Sequence, residues 1–133
     1  MIAAWRLYYK QNLSVRDRKR LSQATRIAET SQCNKRHGAV LTQGGRVLGT
    51  GVNINKNDAA IIGVDVTLFS VHAEVAAWKS AGSPKLHNAT MYVARVSKRG
   101  KPVMSKPCTK CQEFLRSVGV RKVVYTIDSV IDI

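Results

Sequence analysis

Two short segments hold residues whose types and spacing suit metal chemistry: His72-Ala73-Glu74, and Pro107-Cys108-Thr109-Lys110-Cys111. One imidazole and two thiolates are three ligands of the softness that zinc takes. Three protein ligands leave a fourth tetrahedral position for water, the mark of a catalytic rather than a closed structural site. Glu74 then reads as a general acid and base. Zinc lowers the pKa of a bound water toward about 7, and a carboxylate beside it takes the proton and redelivers it.

The spacing constrains where such a site can stand. Cys108 and Cys111 are three apart, which puts both sulfurs on one face if they share a helix. His72 and Glu74 are two apart and do not share a face inside a helix, so both serve one metal only if it lies off the helix end. Two helix N-termini aimed at one point would favour thiolates and hydroxide.

Each segment alone has plainer readings. His-x-Glu arises by chance, and a C-x-x-C pair is also a redox motif or half of a structural zinc site. The pair does not follow a first strand near the N-terminus, as a thioredoxin-like motif would. No fourth cysteine or nearby second histidine completes a structural set, since Cys33 and His37 lie far off in sequence. A zinc-stabilised binding module would have no use for the Glu74 carboxylate.

The elements that must position these residues alternate between α and β. Ser14 followed by Asp17 resembles a capping box, and Leu21, Ala24, Ile27 and Ala28 recur at helical spacing, so a helix runs to about residues 29–31. Strands at 39–42 and 46–51 flank Gln43-Gly44-Gly45, a hairpin signal. Residues 53–70 read as an ordered loop. A second helix is expected over 71–80, a strand over 90–96, and a basic hairpin or loop over 97–106. A third helix starts at Pro107, where proline suits a first turn, and runs to Val118; a strand follows at 122–126.

The chain of 133 residues, 44% hydrophobic, is read as one domain over 1–133, with 1–13 as a basic and aromatic N-terminal extension. No apolar run approaches the roughly 18–20 residues of a membrane span. Met1 to Lys10 is interrupted at Arg6, too soon for a signal-peptide core, so a cytoplasmic location and no membrane partner are expected. Twenty-two Lys and Arg against eight Asp and Glu give a net charge of +14. That excess points to an anionic ligand, whether a nucleotide or a nucleic acid.

H-x-E … P-C-x-x-C is the pattern of zinc nucleobase deaminases, and the chain resembles the cytidine and deoxycytidylate deaminase superfamily from about Ser14 to Ile127. His37-Gly38-Ala39-Val40 is similar to the start of that family's first core strand, and Gly51-Val52-Asn53 to the close of its second. The run from Phe114 through Gly119 to Tyr125 resembles deoxycytidylate deaminases, many of them from phages. The resemblance implies a three-layer α/β/α fold with a central mixed sheet of about five strands. It implies zinc on His72, Cys108 and Cys111, and Glu74 as proton shuttle. It also implies substrate contacts from the Asn53 side chain and the Ala73 backbone, and assembly as a homo-oligomer. His37 reads as a strand-end histidine, with a place in the pocket as the alternative.

The sequence departs from the family pattern in a basic insert, Ser97 to Pro102, and in Lys106, where tRNA adenosine deaminases carry Glu. Both suit a phosphate near the pocket. The expected activity is hydrolytic deamination of dCMP or CMP, a zinc-bound hydroxide attacking C4. The alternative is a polynucleotide substrate, DNA or RNA, for which Trp5, Arg6, Tyr8, Tyr9 and Lys10 interleave aromatic and basic groups. Ser129 to Ile133 are expected to supply an edge strand.

Overall fold

The computed structural model describes residues 13–55, 70–127 and 129–133. The aromatic and basic residues before Leu13, and most of the 53–70 loop, lie outside the described residues. Helix α1 (Val15–Ala28) opens at Ser14, whose hydroxyl accepts the Asp17 N–H at 3.0 Å. Only half of the expected capping box forms, because the Asp17 carboxylate is drawn inward. It accepts from Tyr92 Oη at 2.7 Å and pairs with Lys122 Nζ at 2.9 Å.

Strands β1 (Arg36–Gln43) and β2 (Arg46–Val52) form the predicted hairpin. Gly44 and Gly45 turn it with φ of 60° and 81°, which side-chain-bearing residues adopt at a cost. Short strands β3 (Ile54–Asn55) and β4 (Ser70–Val71) pair with each other, bracketing the loop read from the sequence. Helix α2 (Ala73–Ser80) follows, then β5 (Ala89–Val96), β6 (Pro102–Val103), helix α3 (Thr109–Val118), β7 (Val120–Tyr125) and β8 (Ser129–Asp132).

The main sheet has the order β2-β1-β5-β7-β8, with β6 pairing the far end of β5. Among the described strands only β5 and β7 are parallel, joined by α3 as a crossover; β8 is the expected edge strand, antiparallel to β7. Alternation along the strands sorts the side chains into two cores. Val40, Tyr92, Ala94 and Val124 face α1 through Leu21 and Ala24. Ala39, Leu41, Met91, Val93 and Val123 face the other way, against Ala73 and Ala77 of α2 and Leu115 of α3. This is the expected α/β/α arrangement.

Backbone approaches on both faces depend on glycine. A Cβ on Gly38 would overlap the backbone of Ala24 and Ala28, and one on Gly51 the backbone of Ala76 and Ala77. Two expected helix starts are corrected. The helix read from residue 71 begins at Ala73, because Ser70 and Val71 are paired in β4. The helix read from Pro107 begins at Thr109, with Cys108 in an extended conformation before it. The expected strand at 122–126 begins two residues earlier, at Val120, and ends at Tyr125.

Candidate metal centre and substrate cleft

Those shifted helix starts build the site. His72 is the N-cap residue of α2 and Cys108 that of α3, and neither side chain makes a capping hydrogen bond. Each donor therefore stands just off a helix end, where backbone N–H groups and the helix dipole favour negative charge. Cys111 sits in the first turn of α3, and its Sγ lies 3.0 Å from His72 Nδ1. The donor atoms of His72, Cys108 and Cys111 all fall within 4.8 Å of one another. With the metal off the helix end, Glu74 in the first turn of α2 can serve the same point, which resolves the spacing constraint.

Electrostatics supports a cation at this point. Burial, reinforced by the Glu74 carboxylate and the Cys108 sulfur, pushes the Cys111 thiol well above its ordinary range. Burial likewise pushes the Glu74 carboxyl up, and it is 3% exposed. Thiolates and a carboxylate crowded together repel one another until a divalent cation joins them. One nitrogen and two sulfur donors fit zinc.

A cleft of about 290 Å³ opens beside these donors. It is lined from α2 by His72, Ala73 and Glu74, and from the segment before α3 by Ser105, Lys106, Pro107 and Cys108. Lys35, His37 and Asn53 line it from the β1 side. Apart from Cys111, which lies in the donor cluster, every predicted site residue thus lines one cavity. Lys35 and Ser105 were missed, and His37 takes the pocket position that was the alternative to a purely strand-end role. Period-two alternation was the available signal for His37, since it shares the sheet face of Ala39 and Leu41, which α2 covers. Burial and the nearby Arg95 and His72 hold the His37 imidazole below its ordinary pKa, despite the hydrogen bond to the Lys35 carbonyl.

Two hydrogen-bond knots fix the walls. The Asn53 amide oxygen accepts from His37 N–H at 2.9 Å and from Ser31 Oγ at 2.6 Å, while its Nδ2 donates to the Lys35 carbonyl. Asn53 is 8% exposed. Ser105 Oγ donates to the Val93 carbonyl at 2.9 Å, and accepts from the Thr126 N–H at 2.9 Å and hydroxyl at 2.8 Å. These bonds tie the segment before Cys108 to the ends of β5 and β7. Behind the donors, Trp78 of α2 and Phe114 of α3 meet edge to face at 5.3 Å between centroids, coupling the two helices.

Among the described residues no helix is long and apolar enough to cross a membrane. In structure, the chain is similar to the dCMP deaminase of the cyanophage S-TIM5, with a TM-score of 0.60 at 20% identity, covering 84% of this chain and 85% of that one. It is similar also to cytidine deaminase from Mycobacterium leprae, with a TM-score of 0.61 at 19% identity and 90% and 94% coverage. RibD of Acinetobacter baumannii is matched over 27% of its length and 83% of this chain, with a TM-score of 0.51 at 24% identity. No curated protein matches the sequence. The sequence model described as "Cytidine and deoxycytidylate deaminase zinc-binding region" matches residues 14–127. Both candidate zinc-ligand segments, the three helices and strands β1 to β7 fall within that span, and the chain belongs to this family of zinc-dependent hydrolytic deaminases.

Proposed function

We propose that the protein deaminates a cytosine nucleotide, dCMP or CMP, to the uracil nucleotide and ammonia. The observation that carries this reading is the meeting of buried Glu74 with three metal donors in a cleft edged by two lysines. Zinc held by His72, Cys108 and Cys111 supplies Lewis acidity, which brings water toward ionisation near neutral pH. Glu74 takes the water proton and delivers it to ring N3, which makes C4 electrophilic. The C4–O bond forms, a second proton passes through Glu74 to the amino group, and the C4–N bond breaks as ammonia leaves. A carboxyl whose pKa is raised by burial suits a group that must hold a proton between steps.

The Ala73 backbone is assigned to the edge of the base. Asn53 already has its oxygen engaged twice and one Nδ2 hydrogen on Lys35, which leaves one N–H for the sugar. Lys106 is assigned to the phosphate. The S-TIM5 dCMP deaminase, also solved with dCMP and dUMP, is similar in fold and supports a nucleotide substrate. Assembly as a homo-oligomer is carried over from the family, and a cytoplasmic location from the reading of the sequence.

The test is ammonia release from cytidine, deoxycytidine, CMP, dCMP, dCTP, adenosine, guanine and a short single-stranded oligonucleotide, with Glu74→Ala as control. Turnover of dCMP or CMP that is lost in the variant bears the reading out. A polynucleotide substrate is the second reading. It is favoured by the exposed cations Lys98, Arg99 and Lys101 on the β5–β6 turn, which the Arg36 guanidinium ties down through the Ser97 carbonyl. A strand substrate would lose affinity steeply between low and physiological salt, a mononucleotide much less.

A further inference from the structure

Arg95 stands at the carboxyl end of β5, on the sheet face that carries the metal donors. Its register partner on β1 is His37, which lines the cleft. Its partner on β6 is Val103, two residues before the cleft residue Ser105. Residues paired across antiparallel strands share a face. Met91 and Val93, on the same face of β5, lie in the core under α2 and α3. Ligands of sheets with parallel strands gather at the carboxyl ends of those strands, as the ends of β5 and β7 do here.

The side chain of Arg95 lacks what a buried cation needs. It is half-buried, its Nε is buried without a hydrogen-bond partner, and the described residues offer its guanidinium no ion pair. Arg20, whose Nε is also unpartnered, has its terminal nitrogens on Gln23 and the Gly45 carbonyl. Among the described residues Arg95 has no such bonds, and its neighbour His37 lies at the cleft. Lys35 and Lys106, both exposed, line the same cleft, and its one carboxylate is the deeply buried Glu74. Asn53 holds the Lys35 carbonyl and so fixes where that cation starts.

We propose that Arg95, with Lys35 and Lys106, is the receptor for the substrate's phosphate, and that Arg95 sets the preference for a nucleotide over a nucleoside. This deepens the deaminase reading and rests on it. The guanidinium is a planar fork that takes two phosphate oxygens at once, and the two ammonium groups add charge without fixing direction. The shared chemistry is a phosphate ester on a cytosine nucleoside, free or within a strand.

The experiment is kcat/KM for dCMP, deoxycytidine and a short oligodeoxycytidine in the zinc-loaded wild type, Arg95→Met and Arg95→Lys. The ratio of dCMP to deoxycytidine should fall about 10- to 100-fold in Arg95→Met, as for loss of a hydrogen-bonded ion pair, and recover in part in Arg95→Lys. A fall seen with the oligonucleotide instead keeps the receptor and assigns its phosphate to a strand. A ratio unchanged for both phosphorylated substrates overturns the proposal, whatever happens to the absolute rates. Should Arg95→Met not fold, the wild type decides: inorganic phosphate at constant ionic strength must compete with deoxycytidine, and absence of competition also overturns it. If the wild type releases ammonia from nothing, the deaminase reading fails separately. The receptor then stands on a phosphate-dependent rise in Tm that Arg95→Lys diminishes, and falls without that rise.

Discussion

His72 Nδ1 and Cys111 Sγ lie 3.0 Å apart although 39 residues separate them in the chain. One belongs to the N-cap of α2 and the other to the first turn of α3, so the contact is where two helix starts converge. It makes the donor set a product of tertiary structure rather than of either motif.

Zinc uptake should therefore release protons. Cys111, held protonated by burial and by Glu74, must lose its proton to act as a ligand. Calorimetry in buffers of different ionisation enthalpy at neutral pH should report proton release on zinc binding, and less of it in Cys111→Ser. Cys111→Ser should weaken zinc binding by more than about 100-fold, since outer partners alone cost about 10- to 100-fold.

Glu74→Gln keeps the shape and removes the proton carrier. The expected loss in kcat is about 100- to 10,000-fold with zinc content unchanged. A variant that binds zinc and turns over normally would assign the proton transfers elsewhere.

Asn53→Ala removes partners from Ser31, His37 N–H and the Lys35 carbonyl together. Leaving such buried groups unpaired costs about 1–3 kcal/mol. Urea unfolding should show that loss, and KM should rise because the Lys35 wall is no longer held.

Asp17 gives a pH prediction far from the cleft. Burial opposes its charge, but the Tyr92 hydroxyl, Lys122 and Ser14 together hold its carboxyl below the ordinary value. A depressed folded-state pKa stabilises above the unfolded value near pH 4, and that stability is lost as pH falls through the lower, folded value. Asp17→Asn should lower stability at pH 7 by about 1–3 kcal/mol and flatten the acid limb of the stability profile. Its kcat should match the wild type.

Much of this was legible because local chemistry and periodicity agree. Ser14 and the Gly44-Gly45 turn each announce their element, and the residue types of His72, Glu74, Cys108 and Cys111 announce the metal. The start of α3 was misplaced by two residues because Pro107 satisfies the rule for a first turn, yet Cys108 remains extended, and that of α2 because Ser70 and Val71 pair in β4. Arg95 and Lys35 carried no local signal. The pairing of Arg95 with His37 depends on the β1–β5 register, and the place of Lys35 at the cleft on the Asn53 amide, neither of which can be seen from neighbours in sequence.

The Ser105–Thr126 knot stands between the basic β5–β6 turn and Cys108. It anchors the chain to the sheet before the metal donors begin. A turn of different length or charge at 97–101 would alter what an incoming ligand meets first and leave the donors in register. The metal donors and the basic turn are in that sense mechanically separate: a few hydrogen bonds keep a change in one stretch of surface from reaching the donor geometry.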